Sequence, residues 1–304
     1  MTVPNINGVI IVDKPAGITS ARVVARVKTL LNVKKVGHTG TLDPFATGVI
    51  VCCINNATKL ARFLLHGNKK YKAVLQLGVE TDTQDFTGNI ISTCDKIEFS
   101  NKQLRMAFEK FEGAIKQLPP VYSALKHKGV PLYKLARKGK PVQKPARQIF
   151  ISSINILETD LPAIRFDVSC SAGTYIRTLC SDIGKVLGCG GHLKELRRIE
   201  SSGFTIKESL TLPELERLAL SNKLSDHIIN MTDALQNMPE HIANKALTDK
   251  IIHGNIITML DGIDKHSENK DDFIKVLNTN KDLIAILNFK KAVNKYNYCC
   301  VFNK

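Results

Sequence analysis

The stretch GHTGTLDPFATGVI, residues 37–50, carries one acid, Asp43. Between residues 14 and 79 it is the only carboxylate, set among eleven lysines and arginines. Two readings fit. An Asp before Pro44 commonly shapes an Asx-turn. A carboxylate alone among cations also has what a nucleophile or base needs, because a positive neighbour keeps it ionised where water is scarce. Gly37, Gly40 and Gly48 let a backbone approach a ligand closely. His38 has no Ser or Cys nucleophile signature beside it, so no triad is read. Asp82 and Asp85, in TDTQDFTG, lack the calcium-loop pattern and read as turn or cap residues.

A second signal is cationic. Residues 113–157 contain no acid and nine lysines and arginines. A solvated face normally interleaves both signs, so unopposed charge fits phosphates, through direct contact and counterion release. Tyr122, His127 and Tyr133 are interspersed and suit stacking on unpaired bases. The bland alternative is a basic loop without a partner. An anionic membrane fits less well, since the segment lacks an amphipathic stripe.

The elements that must hold these groups follow from pattern. GVIIVDKP and GVIVCCI read as apolar strands, and YKAVLQLGV as a strand alternating Tyr71, Ala73, Leu75 and Leu77 against Lys72, Val74 and Gln76. TSARVVARVKTLLN reads as a helix capped by Thr19 or Ser20, and NATKLARFLLHG as a helix from Asn56 to Gly67. SNKQLRMAFEKFEG opens with a Ser100–Gln103 capping box. Ile176, Leu179, Cys180, Ile183 and Leu187 mark the buried face of another helix. Five prolines in 113–157 suggest an excursion from the core. Residues 205–245 look helical and polar. The chain after 246 looks β-rich, with DGIDKHSENKDD as a solvated loop. Strands and helices do not alternate one for one, so an α+β layout is expected.

Bulk properties bound the rest. The 304 residues are 43% hydrophobic and 23% charged, with net charge +15, which favours a polyanionic partner. No run approaches the 18 apolar residues of a membrane span. The N-terminus shows no secretory signal pattern. The eight scattered cysteines form no C-x-x-C, so reduced thiols in the cytosol and no zinc site are expected.

Five blocks then occur together. GVIIVDKPAGITS, KKVGHTGTLDPFATGVI, KKYKAVLQLGVETDTQDFTG, QLPPVYSALKHKGVPLYKLARKG and VSCSAGTYIRTLCSDIGKVLGCGGHLKELRRIESSGF resemble, in order, the TruB family of tRNA pseudouridine synthases. The resemblance implies a mixed, mostly antiparallel sheet with flanking helices over residues 1–244. It also implies an RNA-gripping insertion at about 113–157 and a divergent PUA-like RNA-binding domain at 245–304. It makes Asp43 the catalytic aspartate, with a covalent role on sugar or base. Tyr71 matches the tyrosine that stacks beneath the uracil and helps deprotonate C5, and Arg177 the arginine that pairs with the aspartate. Tyr175 matches a pocket tyrosine, Leu196 the apolar residue against the base, and His38 the histidine that holds the flipped T-loop. Lys14 and Pro15 look supportive, shaping the cleft. Lys126, Lys128, Lys134 and Arg137 would grip the RNA backbone.

The implied substrate is uridine 55 of the tRNA T-loop, isomerised without metal or cofactor by a cytoplasmic monomer needing no obligate protein partner. Two rivals stay in view. One is an RNA chaperone that folds the tRNA elbow without chemistry, an activity that can coexist with the first. The other is a glycosidase-like hydrolase, which would need a second carboxylate as acid.

Overall fold

The computed structural model describes residues 6–263 and 273–302. A ten-stranded sheet is the frame of the larger part. Its main path runs Leu210–Thr211, Gly8–Lys14, Thr47–Ile54, Gly191–Ser201, Lys69–Leu77, Ala163–Cys170, Arg147–Asp160 and Gly113–Gln117. Two neighbouring pairs on this path are parallel, Gly8–Lys14 with Leu210–Thr211 and Gly191–Ser201 with Thr47–Ile54; the others are antiparallel. The mixed, mostly antiparallel α+β layout is the one expected.

The unbroken apolar runs have a simple cause. In Gly8–Lys14, Ile10 and Val12 face one core while Val9 and Ile11 face another. In Thr47–Ile54, Ile50, Cys52 and Ile54 face the first core, and Val49, Val51 and Cys53 the second. A strand covered on both faces needs no polar alternation. The first core takes apolar residues from helices Ser20–Leu30, Asn101–Glu109, Ile176–Leu187 and Leu212–Leu220. The second is shared with Leu277, Leu283 and Ile286 of a second, five-stranded sheet.

Two expectations are corrected. The stretch from Asn56 to Gly67 is not one helix. It is a 3-10 turn, Asn55–Leu60, then one α-turn, Ala61–Leu64. Asn55 enters with φ +48° and spends its side chain on the Ile6 carbonyl and the Lys35 N–H, and the Asn56 N–H is met from outside the segment by Asn7 Oδ1 (2.9 Å). The excursion from the sheet is shorter than 113–157. Gly113–Gln117 and the start of Arg147–Asp160 pair as the sheet's edge, leaving 118–146 outside it. That remainder holds a tiny hairpin, Lys126–His127 with Val130–Pro131, and a short helix, Leu132–Ala136.

The second sheet begins at Glu240–Ile242. It also carries a helix, Lys245–Ile252, on its apolar face. Residues 264–272, most of the expected solvated loop, and the chain's last two residues lie outside the described residues. Among the described residues no helix is long and apolar enough to cross a membrane.

Candidate active site

The loop around Asp43 is fixed before any ligand arrives. Lys14, at the end of the first strand, is wholly buried, and its Nζ donates to the carbonyls of Pro15 (2.9 Å), Pro44 (2.9 Å) and Ala46 (2.6 Å). Burial pushes that ammonium down from 10.5 to about 8. Ser20 clamps Leu42 from the other side, accepting from its N–H at 2.9 Å and donating to its carbonyl at 3.1 Å. The backbone closes a turn, with Ala46 N–H donating to the Asp43 carbonyl at 3.1 Å. The turn reading of Asp43 is thus satisfied by its backbone, which leaves the carboxylate free to face elsewhere.

It faces Arg177. Arg177 Nε lies 3.0 Å from Asp43 Oδ2, and Nη2 lies 3.4 Å from Oδ1. The rest of the guanidinium is anchored. Nη1 donates to the Thr83 carbonyl (2.9 Å) and sits 3.5 Å from Asp85 Oδ2, while Nη2 donates to the Tyr122 carbonyl (2.8 Å). Arg177 comes one residue inside its helix, whose N-cap Tyr175 lacks a side-chain cap. Buried Gln117 substitutes: its Oε1 accepts from Tyr175 N–H (2.8 Å) and its Nε2 donates to the Tyr175 carbonyl (3.0 Å). An edge strand thereby sets where Arg177 starts.

Electrostatics at Asp43 are a contest. Burial raises the carboxyl above its ordinary 3.8, Arg177 opposes that, and Asp85 adds to the rise. The expectation that Arg177 holds Asp43 anionic is therefore half the account; desolvation pulls the other way.

A cleft of about 460 Å³ opens beside this pair, within the usual range for small-ligand sites. Asp43, Tyr71, Tyr175, Arg177 and Leu196 all line it. Tyr71 and Leu196 come from adjacent strands in a register that pairs Leu196 with Ala73. Burial raises the Tyr71 phenol above its ordinary 10, with Arg198 opposing. Arg147 stacks over the Tyr175 ring at 4.8 Å.

Two family models match the chain. TruB family pseudouridylate synthase (N terminal domain) covers residues 28–176, and tRNA pseudouridylate synthase B C-terminal domain covers 177–237. The chain is 46% identical to the tRNA pseudouridine synthase B of Syntrophotalea carbinolica over 77% of this chain and 76% of that protein. It is 47% identical to that of Alkaliphilus oremlandii over 83% of each. The chain belongs to the TruB family. The fold agrees: an H/ACA RNP bound to a substrate RNA containing 2'-deoxyuridine superimposes with TM-score 0.76, at 26% identity, over 98% of this chain and 85% of that one. A Cbf5–Nop10–Gar1 complex gives 0.72, at 27% identity, over 93% and 78%.

Not every expected residue of this TruB chain sits in the cleft. Lys14 supports the Asp43 loop through the Pro44 and Ala46 carbonyls, and neither Lys14 nor Pro15 is among the lining residues. His38 also stays off the lining, and burial lowers the ring's affinity for a proton. Lys126, Lys128, Lys134 and Arg137 are exposed on the 118–146 excursion and are not among the lining residues, though Ser123, Ala124 and Leu125 of the same excursion are.

Sequence reasoning passed over three groups. Asp85 was assigned to a turn, and it is one, since its Oδ1 accepts from Thr87 N–H (3.0 Å) and Thr83 Oγ1 (2.9 Å). Its other oxygen faces Arg177, a second use that spacing cannot reveal. Gln117 and Arg198 carry no local motif. For Arg198 the available signal was its place two residues beyond Leu196 on the same strand.

Proposed function

We propose that this TruB chain isomerises uridine 55 of the tRNA T-loop to pseudouridine, with Asp43 as the nucleophile. The single observation that carries the reading is the Asp43–Arg177 pair at 3.0 Å, set at a cleft that Tyr71 and Leu196 also line. A uracil extruded from the tRNA elbow loses its stacking, a cost of a few kcal/mol. Tyr71 stacks beneath it, and base–aromatic contact is worth about 1–3 kcal/mol. Leu196 closes the apolar side of the base, and Tyr175, braced by Arg147, borders the sugar.

Asp43 forms the transient bond on sugar or base while the N1–ribose bond breaks. The freed uracil turns, rejoins through C5, and the Asp43 bond is released. Tyr71 takes part in removing the C5 proton. Substrate and product are isomers, so the reaction calls for neither a redox partner nor a metal.

The T-stem is gripped by the exposed cations of 118–146, among them Lys126, Lys128, Lys134 and Arg137, and His38 helps hold the flipped loop. The protein acts in the cytoplasm as a monomer without an obligate protein partner.

The test is pseudouridine mapping in tRNA transcripts treated with wild-type protein and with Asp43→Asn. The expected result is modification at position 55 by the wild type, none by the variant, and nearly equal tRNA binding by both. Parallel loss of binding in Asp43→Asn would make the Asp a structural residue.

A further inference from the structure

Arg198 is 2% exposed and sits at the cleft wall. A guanidinium does not shed its proton, so a full charge is buried there. Among the described residues, Arg26, Arg165, Arg177 and Arg197 each have a carboxylate partner, and no ion pair involves Arg198. Its Nε donates instead to the Val49 carbonyl (2.7 Å) and its Nη2 to the Gly40 carbonyl (3.0 Å). The fit is close: a Cβ on Gly48, whose φ is +105°, would stand 2.1 Å from the Arg198 carbonyl oxygen. Burying a charge without a counter-charge costs several kcal/mol. Such a group makes sense where a negative charge develops beside it during the reaction.

One group meets that description. Tyr71 is the cross-strand partner of Arg198, so the two side chains leave the sheet on the same face. Both line the cleft. The other titratable groups acting on the Tyr71 oxygen, Cys170 and Asp43, both disfavour negative charge on it. Lys69, Lys14 and His38 also feel Arg198, and none supplies an anion for it. Arg198 is the cation that opposes the effect of burial on the Tyr71 phenol.

We infer that Arg198 is a positioning residue for the reaction: its guanidinium fixes the Tyr71 oxygen at the cleft and is its counter-ion when that oxygen carries negative charge. The inference rests on the reading above in which Tyr71 removes the C5 proton. The Tyr71 phenolate takes that proton and becomes the neutral phenol. The C5–H bonding pair forms the C5=C6 double bond, the former C6=N1 pair settles on N1, and N1 takes a proton from water. Arg198 is given no contact with the uracil or the ribose; it acts through the Tyr71 oxygen. Because the same guanidinium holds the Gly40 carbonyl, it also ties Tyr71 to the loop that carries Asp43.

The test is single-turnover pseudouridine formation on transcripts containing uridine or 5-deuterouridine, from pH 6 to 10, with wild type, Arg198→Met and Arg198→Lys. One pKa unit at Tyr71 is about tenfold in phenolate, so Arg198→Met is expected to react at least tenfold more slowly at pH 7. Its C5 isotope effect should exceed that of the wild type, and its rate should recover as pH rises. Arg198→Lys keeps the charge near neutrality and should keep the smaller isotope effect, then lose rate in alkali, where a buried lysine sheds its proton and an arginine does not. A slow Arg198→Met with the wild-type isotope effect and pH profile would make Arg198 a scaffold residue only. Should Arg198→Met fail to fold by circular dichroism, Arg198→Lys decides: a profile parallel to the wild type overturns the inference. A wild type that makes no pseudouridine would instead remove the proposed function itself.

Discussion

Arg177 and Asp43 stand 134 residues apart in the chain, and their side chains meet at 3.0 Å. Each arrives fully braced, Asp43 by a loop clamped through Lys14 and Ser20, Arg177 by two carbonyls and Asp85. A nucleophile held in this way needs little reorganisation when substrate enters, which is the condition for efficient electrostatic catalysis.

The contest at Asp43 has a sign that experiment can read. Burial raises the carboxyl, Arg177 lowers it, and Asp85 raises it. The reaction needs the carboxylate, so activity falls as pH drops through the Asp43 pKa, which lies above 3.8. Arg177→Lys weakens the opposing influence and should move the acid limb of the rate profile to higher pH. Asp85→Asn keeps an acceptor for Thr83 and Thr87 while removing a like charge, so it should move the limb to lower pH. Single-turnover rates against pH check both, and limbs moving in the same direction would contradict the three-group picture.

Lys14 supports the site without entering it. Lys14→Met strands the buried carbonyl of Ala46; the Pro44 carbonyl keeps the Gly17 N–H (2.9 Å), and Pro15 is open to water. One unsatisfied buried acceptor costs about 1–3 kcal/mol, which is the loss of stability expected. Urea unfolding should show a lower midpoint at unchanged slope, together with slower chemistry, because Pro44 and Ala46 flank Asp43. A midpoint equal to the wild type would mean that the loop holds itself.

How far this was legible in the sequence follows from the range of the forces involved. The apolar strands, the Thr19 and Ser100 caps and the buried face of Ile176–Leu187 depend on neighbours a few residues away, and pattern found them. The stretch from Asn56 misled it: Asn55 is left-handed, and its side chain and the Asn56 N–H are met by Ile6, Lys35 and Asn7, from outside the segment. The edge pairing of Gly113–Gln117 with Arg147–Asp160 depends on register across 30 residues, which proline content concealed. At the site, Asp43 was visible as a charge anomaly, and Tyr71 and Arg177 through family resemblance. Asp85, Gln117 and Arg198 act only through distant partners, so no window of sequence displays their role.

The last prediction concerns the excursion at 118–146. Lys126, Lys128, Lys134 and Arg137 are exposed there, and no ion pair involves them among the described residues. Arg137 is also drawn over the Tyr133 ring, at 5.6 Å, where it remains open to solvent. Unpaired surface cations contribute little to stability, because water already solvates them. Replacing all four by Gln should therefore leave the melting temperature nearly unchanged. If each neutralises one phosphate, the log–log salt slope of tRNA binding should become shallower by about 3. Rate at saturating tRNA should be retained, since these side chains stand outside the cleft. An unaltered slope would mean that the cations face bulk solvent in the complex, and the phosphate contacts would then have to come from elsewhere on this strongly basic chain.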